Sequence, residues 1–346
     1  MSYLADAQSK YRLPQQRLEK VMQATATAAD SRAGEGGTLQ GRPIKVVDGS
    51  TTQLADTAKN QVEYPQPSTQ KKGGGFPVMK LAVLFSLASG AILNVVTGHL
   101  HSHDLRLFRQ RWDCLRSGDI LMGDRAYGEY ATMAGLKQRA VEKIFSRQEW
   151  GLLPETIQVR ILRLVVDVPG FRSHPITLVT TLLDPKLFPA HELAKAYARR
   201  WRLEMCRRDI KTTLGMESLR GQSPAMARQE MFAFFIAHNL TRCVMAEAAN
   251  LYDADLERMS FKGTLDALRQ YSAAISAARN RKMRKQLWQD LLLNRVRDQV
   301  PFRPHRTEPR AIKRRPKPCP LLNKPRRKFK EIPHRTRYWK GNPRKS

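Results

Sequence analysis

A chain of 346 residues is long enough for a sizeable core with accessory regions, since single domains run to roughly 100–200 residues. Its 61 Lys and Arg against 31 Asp and Glu give a net charge of +30, far beyond what solubility requires, which points to a polyanionic partner and to nucleic acid first. Four scattered cysteines, Cys114, Cys206, Cys243 and Cys319, with no C-x-x-C pair, exclude a zinc ribbon and a disulfide framework, and the opening residues hold no apolar signal segment.

Residues 1–40 read as helical pieces ending in the glycine-rich stretch SRAGEGGTLQGRP. A strand follows in IKVVDGS, closed by Asp48-Gly49. The apolar run Leu81 to Leu100 is interrupted by Ser86, Ser89, Gly90 and Asn94, so it reads as two buried strands about a Ser89-Gly90 turn and not as a membrane span. A helix is expected from His103 to Arg116, then a short apolar run ending in GDRAYG, then another helix over Tyr130 to Lys143. The β-branched segments IQVRILRLVVDV and PITLVTTLL, separated by Pro169-Gly170, predict a strand pair. Ala190 to Thr213 contains no Gly or Pro and predicts one long helix, with further helices near Met226 to Leu251 and Thr264 to Arg284. From Pro301 onward 17 Lys and Arg face two acids, Glu308 and Glu331, among frequent prolines, the composition of an extended basic tail. Strands then helices imply a mixed α/β core.

The chemistry concentrates in residues 197–211. On a helix, Tyr197, Arg200, Glu204 and Lys211 at offsets 0, 3, 7 and 14 share an arc of roughly 60°. That face offers a carboxylate for a hard cation beside groups that grip phosphate. The same helix could equally be a solvated one in which Glu204 makes ordinary pairs with its basic neighbours. Asp48 and Asp124 each close an apolar run. If those runs are neighbouring parallel strands, both carboxylates emerge at one sheet edge, where ligand sites of open α/β sheets gather. Taken singly, Asp-Gly and Gly-Asp also suit plain turns. The histidines His99, His101 and His103 with Asp104 have the alternate spacing of a metal site on one strand face, but read more simply as a polar connection. His238 reads as a core residue, Asp209 as pointing away from Glu204, and Arg125 and Tyr127 as either reaching DNA or packing the turn.

The spacing Y-x2-R-x3-E-x6-K resembles the YREK signature of DDE transposases of bacterial insertion sequences. VVDGSTTQLADTAKN is similar to that family's first-aspartate strand, with its downstream Asp-Thr-x-x-Asn, and GDRAYG to its second-aspartate motif. TLLDP, RDIKTTLGME and EPRAIKRRPKPCPLL extend the resemblance over most of residues 40–325. It implies an RNase H-like mixed sheet with flanking helices over residues 41–300, a β-rich insertion at about 150–185, an N-terminal remnant of a DNA-binding region in 1–40, and the basic tail 301–346. It also implies that Asp48, Asp124 and Glu204 are the catalytic acids and bind two Mg2+ ions, with Mn2+ able to substitute. Tyr197, Arg200 and Lys211 are expected on DNA, with Arg125 beside the second aspartate a further candidate, in a bacterial cytoplasmic protein that dimerises when two DNA ends are synapsed.

Two departures from the family pattern stand out: only 47 residues precede Asp48, and the stretch between Asp124 and Glu204 lacks room for a fifth core strand and a full insertion. They set a DNA-binding remnant without catalysis, or a nuclease without strand transfer, as alternatives to the complete transposition reaction.

Overall fold

The computed structural model describes residues 13–34, 36–71, 73–124, 127, 133, 156–166, 174–301 and 328. The helix expected over Tyr130–Lys143, the side chain of Arg125 and nearly all of the tail lie outside the described residues.

Helix α1 (Gln15–Ala33) leads into a short strand β1 (Thr38–Leu39) and the long strand β2 (Arg42–Leu54). After α2 (Ala58–Glu63), strands β3 (Val78–Ser86) and β4 (Ile92–His99) form the expected hairpin about Ser89-Gly90. Helix α3 (Asp104–Arg109) and strand β5 (Ile120–Met122) follow, then β6 (Arg160–Val166) and β7 (His174–Thr180), which among the described residues form a separate antiparallel pair, as the β-branched pattern predicted. Next come α4 (Ala190–Arg199), α5 (Trp201–Arg208), a short β8 (Ser218–Leu219), the long α6 (Pro224–Leu251), α7 (Phe261–Ala277) and α8 (Arg281–Arg297).

The main sheet runs β1-β2-β3-β4, antiparallel throughout, with β5 and β8 both added in parallel to β2. Strand β3 from Leu81 to Phe85, and β2 over Val46 and Val47, are apolar on both faces, as strands covered on both sides must be. Ile44, Val46, Leu81, Val83 and Phe85 look toward the layer containing α1, α5 and α6, where they join Met22, Leu203, Met231 and Phe235 in the largest core cluster. Val47, Ala82 and Leu84 look the other way, onto Leu107 and Phe108 of α3 and onto Trp112 and Tyr127. Helix α6 ties the layers together through Asn239, fully buried, whose Oδ1 accepts from the Ile92 backbone N–H at 2.7 Å. Its Nδ2 donates to Ile92 O and Met22 O, both at 3.0 Å. A second core, built from Val244, Met245, Phe261 and Leu291, joins α6 to α7 and α8.

Three expectations are corrected. The segment Thr264–Arg284 is two helices, separated at Ala278 and restarted by Asn280, whose Oδ1 accepts from Met283 N at 2.8 Å in an N-cap. The helix expected over His103–Arg116 stops at Arg109 and continues as a single tight turn, Trp112–Cys114. The long helix of residues 190–213 is interrupted at Arg200, where Arg200 N bonds Tyr197 O and Leu203 N bonds Arg200 O, both at 3.0 Å and both spanning three residues. It ends in a wide turn, Asp209–Thr213, where Leu214 N reaches back five residues to Asp209 O at 2.9 Å. Residue propensity carries no signal for either change, because the 3-residue and 5-residue bonds are set by the packing of Leu203, Cys206 and Ile210 onto the sheet.

Candidate active site

Strand β2 has two partners on its outer edge. Strand β5 pairs over Ile44–Val46, with Val46 opposite Met122, and β8 pairs over Gln53–Leu54, with Gln53 opposite Ser218. Between them, residues 47–52 pair with no strand on that side among the described residues, and Asp48, Gly49, Ser50 and Thr51 line an open cleft of about 630 Å³. Asp48 stands two residues beyond Val46 and Asp124 two residues beyond Met122, so the parallel register carries both carboxylates to the same level. One detail of the sequence reading is overturned here: Asp48-Gly49 is not a turn closing a strand, since β2 continues unbroken to Leu54 under its pairing with β3.

Helix α5 supplies the opposite wall. Glu204, Arg207 and Arg208 line the cleft, and Lys211 reaches it from the wide turn that follows. The cleft therefore collects Asp48, Asp124 and Glu204 from sites 76 and 80 residues apart in sequence (124 − 48 and 204 − 124). Arg200 does not line it, but its charge acts on Asp48, and its guanidinium lies 5.5 Å from the ring centroid of Tyr197. Tyr197 itself is not among the cleft residues, so of the four signature positions Glu204 and Lys211 face the cleft while Arg200 and Tyr197 stand behind them.

The wall nearest β2 contains residues that sequence reasoning did not select. Asp104, the first residue of α3, approaches Gly49 so closely that a Cβ there would lie 3.0 Å from Asp104 Oδ2, which explains why the residue after Asp48 is glycine. Lys80 of β3 holds Asp104 Oδ1 at 3.0 Å and donates to Ser102 O at 2.7 Å. In the sequence Asp104 belongs to a histidine-rich connection, and nothing in the local pattern shows that α3 begins beside β2. Arg207 was likewise overlooked: its Nη1 donates to Asp48 Oδ2 at 2.9 Å and to Gly49 O at 3.3 Å.

Burial raises the Asp48 carboxyl above its ordinary pKa, against the opposing pull of Arg207 and then Arg200, while the neighbouring Asp124 adds to the rise. Tyr127 is 6% exposed and packs edge-on against Phe108, with ring centroids 6.1 Å apart. It therefore packs the turn and does not reach solvent; Gly123 leaves the space, since a Cβ there would meet Tyr127 Cβ at 2.7 Å. Asp209 is buried and its carboxyl is pushed up to about 6 by desolvation, with Arg242 and Arg208 opposing. It faces away from the cleft, as its position on the helix predicted. His238 is fully buried, with Nε2 donating to Gly90 O at 3.0 Å; desolvation, then the charge of Arg242, lowers it to about 3 and keeps it neutral.

The Asp-Thr-x-x-Asn motif has a positional role. Thr57 caps α2 and donates from Oγ1 to Gln222 O at 3.0 Å. Buried Asn60 donates to Ala55 O at 3.0 Å and to Gly221 O at 2.9 Å. These bonds hold the end of β2 against the chain leaving β8, and so keep open the interval that forms the cleft. Thr52 adds a bond to Met216 O at 2.9 Å.

The sequence model of the family described as Transposase DDE domain matches residues 39–240, more than half of the chain and all of the elements that build the cleft. The chain belongs to this family. It is also 22% identical over 317 residues to the transposase InsG for insertion sequence element IS4 of Escherichia coli (strain K12), covering 82% of this chain and 70% of that protein. No solved structure matches it. Membership of the DDE transposase family places the chain among enzymes that transfer phosphoryl groups on nucleic acid, bind DNA and use divalent metal ions.

The donor chemistry of the cleft fits such an ion. Carboxylate oxygens suit a hard cation, and the desolvated Asp48 is already held by a cationic partner. Among the described residues no three of the His, Cys, Asp and Glu side chains stand close enough to enclose an ion, so the acids face one cleft without forming a closed cage. No helix among the described residues is long and apolar enough to cross a membrane.

Proposed function

We propose that the cleft performs metal-dependent cleavage and strand transfer of DNA at insertion-sequence ends. The observation that carries this reading is the parallel register of β2 with β5, which sets Asp48 and Asp124 at one level beneath a helix bearing Glu204. Asp48, Asp124 and Glu204 would hold the metal, Mg2+ as two ions in the natural reaction, with Mn2+ a substitute. Bound divalent ions supply Lewis acidity at the scissile phosphate and lower the cost of an attacking oxygen anion.

The chain's own groups do the positioning. Lys211 and Arg208 line the cleft where the DNA backbone must enter, and they neutralise its phosphates. Arg200 lies over the ring of Tyr197 and its charge acts on Asp48, so it adds to the positive field that draws a phosphate toward the cleft. Tyr197 takes the DNA-contacting role that the family signature assigns to it, and Arg125, which follows Asp124, is read as a further DNA contact. The antiparallel β2-β3-β4 hairpins with parallel β5 support an RNase H-like core over residues 41–300, with β6 and β7 in the insertion. Residues 1–40 are read as the remnant of a DNA-binding region and 301–346 as a basic tail, in a bacterial cytoplasmic protein that dimerises on synapsed ends.

The deciding test is nicking and joining of labelled duplex carrying candidate element ends, in Mg2+ and in Mn2+. Loss of both steps in Asp48→Asn, Asp124→Asn and Glu204→Gln supports the reading. An unmodified chain that binds the duplex but cuts it in neither metal is a DNA-binding remnant, and one that nicks without joining is a nuclease.

A further inference from the structure

Helix α8 begins in an unusual way. The segment Arg279-Asn280-Arg281-Lys282-Met283-Arg284-Lys285 carries five cations in seven residues and no acid. Residues 279–286 are all exposed; burial of α8 starts only at Leu287 and reaches completion at Leu291 and Leu292, so the first turn and a half projects beyond the core that holds the rest of the helix. The Asn280 cap fixes that projecting turn in helical form.

Electrostatics within the chain oppose this arrangement. The N-terminus of a helix carries partial positive charge, which disfavours Lys and Arg there, and α8 has no acidic residue in its first turn. Arg281 lies one turn from both Arg284 and Lys285, spacings at which like charges repel. Elsewhere in the same module exposed cations are partnered: Lys262 and Arg269 of α7 both bond Asp266, at 2.6 and 3.4 Å. None of Arg279, Arg281, Lys282, Arg284 and Lys285 makes an ion pair with a described residue. Two independent features therefore meet: a helix end held rigid in solvent, and a set of cations whose repulsion nothing within the described residues relieves.

We propose that the start of α8 is a second docking surface for duplex DNA, gripping backbone phosphates apart from the cleft. None of these five residues lines the cleft, and all lie beyond residues 39–240, the span matched by the family model. A rigid row of cations on successive faces of a projecting turn matches a phosphate backbone, because phosphates are the partner that removes repulsion from several cations at once. The contacts are sequence-independent, and the surface steers and holds DNA without reading bases.

The inference rests on the reading that DNA is the substrate, and the experiment separates the two. Binding of the full chain to a labelled duplex of arbitrary sequence is followed by fluorescence anisotropy over a series of NaCl concentrations, without divalent metal. Two double variants are compared, Arg281→Gln/Lys285→Gln and Lys262→Gln/Arg269→Gln, each lowering the net charge by two. The first is expected to reduce the slope of log K against log salt by about 2, near 0.9 per lost phosphate contact, while the second leaves the slope as in the unmodified chain. Equal slopes in the unmodified chain and the α8 variant overturn the proposal, as does an equal drop in both variants, which would mean that net charge alone matters. An unmodified chain that shows no salt-dependent binding overturns the DNA reading itself.

Discussion

Arg207 Nη1 lies 2.9 Å from Asp48 Oδ2, so in the DNA-free protein a guanidinium from the helix of Glu204 occupies an oxygen of the first aspartate. The contact is part-buried, with the Asp48 side chain 14% exposed, and Arg207 also holds Gly49 O. A divalent ion bound by Asp48 must compete with that guanidinium for the same oxygen. Charge-assisted hydrogen bonds contribute about 1.5–3 kcal/mol, so Arg207→Ala should tighten Mn2+ binding to the DNA-free chain by about tenfold. Isothermal titration calorimetry reads this directly, and weaker binding in the variant would show that Arg207 organises the acids instead of competing for them.

Gly49 and Asp104 form a coupled pair. A Cβ at residue 49 would sit 3.0 Å from Asp104 Oδ2 and 3.1 Å from its Cγ, tighter than ordinary contact. Gly49→Ala should therefore cost about 1 kcal/mol by displacing the Asp104 carboxylate from Lys80. In an Asp104→Ala background the same substitution should cost nothing measurable. Urea denaturation of the four proteins of this cycle checks the coupling, and strictly additive effects would refute it.

Asp209 makes stability depend on pH. Its folded-state pKa, about 6, stands above the ordinary value of 3.8, because burial disfavours the charged form. The stability tied to the protonated carboxyl is thus fully present below about pH 3.8 and is lost as pH rises through about 6. Asp209→Asn should stabilise the chain by about 2 kcal/mol at pH 8, allowing for some solvent screening, with the difference closing by pH 4. Denaturation midpoints measured across that range provide the comparison.

Asn239 connects α6 to the sheet edge and to α1 through three hydrogen bonds, with its side chain fully buried. Replacing it by Leu takes the acceptor from the buried Ile92 N–H and one donor each from Ile92 O and Met22 O, of which Met22 O keeps Thr25 Oγ1 at 2.8 Å. The expected cost is about 3 kcal/mol, and amide exchange should accelerate first at Ile92. Unchanged protection at Ile92 would mean that β4 is held without this side chain.

Much of this protein is determined by local sequence. The β3-β4 hairpin follows from two apolar runs about Ser89-Gly90, and the β6-β7 pair from β-branched residues about Pro169-Gly170, because strand formation and turn chemistry act over a few residues. The fixed spacing of Tyr197, Arg200, Glu204 and Lys211 was visible for the same reason, as was the turning of Asp209 away from Glu204 around the helix, though its burial was not. The tertiary structure alone decided what lies next to what. The gap between β5 and β8 along β2 turns an unbroken strand into the floor of a cleft. The approach of α3 brings Asp104 to Gly49, and the packing of α5 lays Arg207 on Asp48. These pairs are separated by 55 and 159 residues in the chain, and contacts at such distances depend on how whole layers pack, an energy spread over the entire core and written in no local pattern.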